Sequence, residues 1–134
     1  MNKLLYPLAL LFVLSCSSKS FPDEKWENRQ WTLVEMLSVP VQTSGSSQDA
    51  NLVFDHRTKT ITGTGGCNRI YGPYTDESKR RLKFGNLGMT RMACQDTPFE
   101  NRFTEVLYSV RYFEVSGNQL LLKNGKEDVI LRFQ

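Results

Sequence analysis

The C-terminal stretch "RYFEVSGNQLLLKNGKEDVILRF" constrains the fold more than any other segment of this chain. Three short runs rich in β-branched, aromatic and aliphatic residues, Arg111 to Ser116, Gln119 to Lys123 and Val129 to Phe133, are separated only by "GN" and "NGKED". Connections this short join antiparallel neighbours, because a parallel crossover needs about a dozen residues or more. Asn124-Gly125 is a strong hairpin signal, since both residues tolerate positive φ.

The same reading extends upstream. "WTLVEML", Trp31 to Leu37, has β-favouring residues, and the polar loop Thr43 to Asn51 separates it from Leu52 to Phe54. "DHRTK" turns into "TITGTGGCN", followed by "IYGPYT", "LKFGNLGMT" and a polar loop around Cys94. One helix interrupts the series. In "TPFENRFTEVLYSV" Thr97 suits the cap, Pro98 the first turn, and Glu100 the capping box. Phe99, Phe103, Val106, Leu107 and Val110 then recur at helical spacing, a stripe that reads as core and not as a cofactor site. The expected fold class is α+β, mostly antiparallel β: a small curled sheet or partial barrel with one helix packed on it.

The N-terminus sets the compartment. "MNKLLYPLALLFVLSC" carries one basic residue, Lys3, then an uncharged run from Leu4 to Leu14. The run is too short to span a bilayer comfortably and has the basic, apolar, small-residue order of a secretory signal, so residues 1–15 are left out of the fold. "VLSC" resembles the lipobox of bacterial lipoproteins, in which the cysteine, here Cys16, is lipidated after cleavage; an ordinary cleaved signal and a short buried helix are the alternatives. Residues 16–25 are polar, as a tether should be. The lipobox resemblance implies a diacyl group plus an amine-linked chain, palmitate being the expected acyl type. More than one chain is the condition for stable anchoring. Ser17, in place of an aspartate, resembles lipoproteins delivered to the outer membrane, so the expected location is the cell envelope, on the outer membrane facing the periplasm.

Residues 26–134 suffice for one domain with one core. Without Lys3 the balance is 16 basic to 14 acidic residues. The densest basic cluster, "SKRRLK" from Ser78 to Lys83, lies between two expected strands and reads as a solvated hairpin tip, so nucleic acid is not an expected partner.

If Cys16 carries lipid, two cysteines remain, Cys67 and Cys94, and an even remainder in an oxidising compartment points to a disulfide. Two free thiols, or a zinc site that adds the single histidine His56, remain open alternatives. Zinc usually takes ligands in close pairs such as C-x-x-C, and the chain has none. The pair is not vicinal either, which speaks against a thioredoxin-like role. The glycines around Cys67 fit neither phosphate motif. "GTGGCN" has Asn68 where the last glycine of G-x-G-x-x-G belongs, and no lysine follows for a P-loop. Glycines in a strand pattern mark a bulge, a sharp bend or a close backbone approach.

The blocks "WTLVEM", "ITGTGGCNRIYGPYT", "LKFGNLGMTRMACQD", "FTEVL" and "YFEVSGNQLLLKNGKEDVILRF" together resemble a META domain, the module of HslJ-like bacterial envelope proteins. The resemblance runs from about Trp31 to the C-terminus, and its most specific parts are GCNR-x-x-G-x-Y and TRMAC. It implies a β-rich fold with a packed helix. It also implies an association with heat shock, antibiotic tolerance or virulence, and it brings no catalytic residues or cofactor. It favours a close approach of the two central blocks, compatible with pairing Cys67 to Cys94. If the blocks converge, Asn68, Arg69, Tyr71, Tyr74, Thr90 and Arg91 are the candidates for a recognition surface; the bland alternative is turn and packing duty. His56, between Asp55 and Arg57 at a turn, reads as a satisfied or exposed imidazole. No nucleophile with a base and no carboxylate pair stands out. The expected function is a non-catalytic, lipid-anchored envelope module in stress tolerance that binds a protein, peptide or apolar ligand. Its rivals are a hydrolase-like envelope enzyme with a dispersed site and a structural or assembly pilot protein.

Overall fold

The structure, a computed structural model, describes residues 26–77, 80–95 and 97–134, the side chain of Thr97 excepted. The signal, lipidation and tether assignments on residues 1–25 lie outside the described residues, as do Ser78 and Lys79 of the basic cluster.

The elements run β1 (Gln30–Met36), β2 (Val39–Pro40), β3 (Asn51–Asp55), β4 (Thr60–Thr64), β5 (Arg69–Glu77), β6 (Arg81–Phe84), β7 (Gly88–Met89), α1 (Thr97–Tyr108), β8 (Tyr112–Ser116), β9 (Gln119–Lys123) and β10 (Val129–Phe133). Among the described residues every strand pairing is antiparallel. The expected mostly antiparallel sheet with one helix is therefore present, and it closes into a ring, β1-β3-β4-β5-β6-β8-β9-β10 and back to β1. The short β2 adds to β1, and β7 adds to β5.

Closure depends on β1 serving two partners. Its first half, Gln30 to Thr32, pairs with Val53 to Asn51 of β3, and its second half, from Leu33 to Met36, pairs with β10. A register shift between Leu33 and Glu35 separates the second-half pairs. Such a bulge bends a strand and increases its twist, which lets one strand turn from one half of the ring to the other. The ring is not a regular barrel, because β6 and β8 meet at a single pair, Arg81 with Tyr112.

Side-chain alternation fills the interior. On β5, Ile70 and Tyr74 point inward while Arg69, Tyr71 and Thr75 stay exposed; Leu82 and Phe84 repeat the pattern on β6. The helix contributes Phe103, Val106 and Leu107, with Val110 just beyond it, to the same core, and the Phe103 ring centroid lies 6.4 Å from that of Phe133. Burying one such side chain stabilises the fold by roughly 1.5–3 kcal/mol.

The two C-terminal turns match the sequence signals to different degrees. Between β8 and β9, Gly117 alone takes positive φ (59°), the pattern of a type II′ turn. After β9 the positive φ falls on Glu127 (65°) and not on Asn124 or Gly125. Asn124 organises that loop through its side chain, whose Oδ1 accepts the N–H groups of Lys126 and Asp128.

Candidate functional site

The two cysteine-bearing loops converge. Cys67, in the β4–β5 connection, and Cys94, between β7 and α1, form a disulfide with their Cα atoms 6.2 Å apart. The connection itself is tightened by Thr64, whose hydroxyl donates to the Asn68 carbonyl and accepts from Gly66 N–H. Gly66 sits at φ 116°, a conformation that L side chains rarely adopt.

Glu100 holds this corner from the helix side. Its carboxylate is buried and accepts the backbone N–H groups of Cys67 and Asn68 and the Asn68 side-chain amide. The sequence assigns Glu100 to a capping box with Thr97, whose side chain lies outside the described ones; the structure directs both carboxylate oxygens at the cysteine loop. Gly65 is what allows this approach, since a Cβ there would come within 2.7 Å of Glu100 Cγ. On its other side Asn68 Oδ1 accepts from Met92 N–H (2.6 Å) and the Thr90 hydroxyl (3.1 Å). Asn68 thus joins three segments, and its amide has a partner for both its nitrogen and its oxygen.

Beside this corner an open cleft of about 1330 Å³ lies over the outer face of the sheet. Its floor is a cross-strand row, Gln30–Val53–Thr62–Tyr71, running over β1, β3, β4 and β5. One wall is the β1–β2 hairpin with Val39 and the loop around Asp49; the other carries the disulfide, Met92 and Phe99. Three large apolar side chains lining it are exposed: Val39 (63%), Tyr71 (52%) and Met92 (55%). The Tyr71 ring lies over Gly88, where a Cβ would fall 2.5 Å from its Cε2.

The six recognition candidates separate into distinct roles. Arg69 and Tyr71 line the cleft. Asn68 and Thr90 form its supporting corner, and Arg69 N–H donates to the Thr90 hydroxyl. Arg91 is exposed next to Thr90. Tyr74 stands apart: it lies three positions from Tyr71 on an alternating strand, so it points inward and is buried. The cleft wall formed by β2 had no counterpart in the sequence reading.

A family model described as META domain matches residues 24–134. The chain belongs to the META domain family. Its fold is similar to that of a protein from Burkholderia xenovorans solved by NMR, with 26% identity, 81% of each chain covered and a TM-score of 0.60. A second NMR structure, 24% identical, is covered to 92% by 83% of this chain with a TM-score of 0.63. A crystal structure of a DUF4847 family protein from Bacteroides vulgatus, 18% identical, shares the fold at a TM-score of 0.56 over 78% of this chain and 89% of the other. No match is found among the curated proteins.

The META domain carries a second polar cluster, which the sequence reading did not anticipate because its members are scattered. Glu27, ahead of β1, accepts the Tyr74 hydroxyl and Lys59 Nζ (3.0 Å) through Oε1, and its Oε2 lies 2.6 Å from His56 Nδ1. Lys59 also reaches Asp76 at 3.0 Å. His56 is therefore an imidazole with a carboxylate neighbour, and Cys67 and Cys94, its proposed fellow zinc ligands, are bonded to each other. Burial works to raise the Glu27 pKa, but the bonds from Tyr74, Lys59 and His56 outweigh it and leave the pKa lowered. Burial likewise opposes the Lys59 charge, and its bonds to Asp76 and Glu27 carry the net shift upward. Burial and then the Glu27 bond push the Tyr74 phenol well above its ordinary range. These shifts move the carboxylate, amine and phenol away from neutrality, whereas a general acid or base works best with a pKa near the operating pH. The cluster acts as a clasp that fixes the chain ahead of β1 to the β3–β4 turn.

Proposed function

We propose that this META domain is a non-catalytic, lipid-anchored module of the bacterial cell envelope that holds a polypeptide segment in the cleft beside its disulfide, in support of envelope stress tolerance. The observation that carries the reading is the cleft itself, with Val39, Tyr71 and Met92 exposed around a floor of Gln30, Val53 and Thr62. A mixed floor of this kind suits an extended chain, which presents apolar side chains and polar backbone together. An acyl chain would leave much of its length in water in so open a cleft. The anchor rests on the lipobox-like "VLSC" and the polar tether after it.

Photo-crosslinking in intact cells tests the reading. A photoreactive residue in place of Tyr71 is expected to give a repeatable polypeptide adduct that the same residue in place of Lys83, exposed on β6, does not give. Equal labelling from both positions rejects the cleft as the binding surface. Mass spectrometry of the unreduced protein checks the anchor: an acylated N-terminal Cys16 is expected, and a chain that keeps residues 1–15 rules it out.

A further inference from the structure

The charges around the cleft are unevenly satisfied. Asp49 accepts the N–H groups of Ser44 and Gly45 and the Ser44 hydroxyl, so its carboxylate is occupied by its own loop. Glu100 is buried and directed at the cysteine loop. Among the described residues the guanidinium groups of Arg69, which lines the cleft, and Arg91, exposed beside the lining residue Met92, have no acceptor. The two arginines are held near each other by backbone: Thr90 N–H donates to the Arg69 carbonyl, and Arg69 N–H donates to the Thr90 hydroxyl. Arg69 and Tyr71 are two residues apart on the outward face of β5, so a cation and an aromatic ring stand side by side at strand spacing.

We infer that the cleft takes an acidic polypeptide segment in extended conformation, with carboxylates on Arg69 and Arg91 and an apolar side chain between Tyr71 and Met92. The inference rests on the polypeptide reading above and adds the chemistry of the partner. Arginine suits the task, because its planar fork matches a carboxylate bidentately. Among the described lining residues an anionic segment also meets no free acidic group, whereas a cationic one faces Arg69 directly. The i, i+2 placement of Arg69 and Tyr71 calls for an acidic and an apolar residue on the same face of the incoming chain.

The test uses the full chain, purified in mild detergent, and fluorescence polarisation with three series of short labelled peptides. Each series carries the same leucines, with aspartate, asparagine or lysine between them. The aspartate series is expected to bind about tenfold tighter than the asparagine series and the lysine series weakest, a preference that fades as salt screens it. Arg69→Gln combined with Arg91→Gln should erase the preference at unchanged melting temperature, since neither guanidinium has a partner among the described residues. Tyr71→Ala should weaken all three series alike. Equal affinity for the three series overturns the acidic assignment while leaving the polypeptide reading in place, and no binding by any series overturns both. Tighter binding of the lysine series, or a preference that survives the double substitution, also refutes the role of the two arginines.

Discussion

Asn68 and Glu100, 32 residues apart, close the site through a side chain to side chain hydrogen bond of 2.8 Å, reinforced by the Asn68 backbone N–H on the same carboxylate. The pair ties the β4–β5 connection to the first turn of the helix, where a negative charge also suits the helix dipole. Glu100→Gln keeps the volume but presents an NH₂ group to donors. The expected loss is about 2–3 kcal/mol, the cost of leaving buried donors without acceptors. Urea denaturation of the oxidised protein measures it, and a midpoint equal to that of the parent chain contradicts the assigned role.

The disulfide closes a loop with a sequence separation of 27 and joins the segments that Asn68 already bridges. In the chain-entropy model the closure stabilises the domain by roughly 3–4 kcal/mol, acting through the unfolded chain. The oxidised protein should therefore denature at higher urea than the reduced one, with Cys67→Ser matching the reduced form. Equal midpoints in both forms reject the structural role.

Period and turn chemistry carried the sequence reading a long way. The extended segment "IYGPYT" and the helical stripe through Phe103 and Leu107 correspond to β5 and α1, the helix because a face that must be buried writes its period into the sequence. Period does not name partners, however. The β1–β10 pairing that closes the ring joins residues from opposite ends of the domain, and nothing in either strand marks the other. Glu27 and Tyr74, 47 residues apart, were equally invisible as a pair. The long-range bonds of Glu100 to the cysteine loop are likewise hidden, because a local capping motif already accounts for an acidic residue there. Turn chemistry was partly legible: β9 and β10 form the hairpin that Asn124-Gly125 signals, although Glu127 takes the positive φ, while Leu37-Ser38 carries no signal and forms a hairpin.

That hairpin is strained. Glu35 pairs with Pro40 and Met36 with Val39, so Leu37 and Ser38 are its two central residues, at φ 51° and 65°. Positive φ at both is the pattern of a type I′ turn, which favours Asn-Gly, and an L residue in this region loses on the order of 1 kcal/mol. Leu37→Asn with Ser38→Gly should raise stability by about 1–2 kcal/mol, measured as a shift of the urea midpoint at unchanged slope. A neutral or destabilising result would show that packing of the exposed Leu37 outweighs the backbone term.

Stability should fall at both ends of the pH scale for separable reasons. The N–H groups of Thr58 and Ser44 hold Asp55 and Asp49 below the ordinary carboxylate value of 3.8, and Lys123 does the same for Glu114, whose ordinary value is 4.5. Glu27 is lowered as well, its bonds outweighing burial. Each folded pKa lies below its unfolded counterpart, so each contribution is complete above the unfolded value and is lost as pH falls through the folded one. Unfolding free energy should therefore decline from about pH 4.5 downward. Lys59 and Tyr74 are raised from 10.5 and 10.0, so their contributions are complete below those values and fade above them. Glu27→Gln should lower stability at neutral pH and flatten both limbs, since it removes one lowered carboxylate and the acceptor of Lys59 and Tyr74. Tyr74→Phe should flatten the alkaline limb much more than the acid one. Denaturation curves across pH for the three proteins check this, and parallel profiles would contradict the clasp built around Glu27.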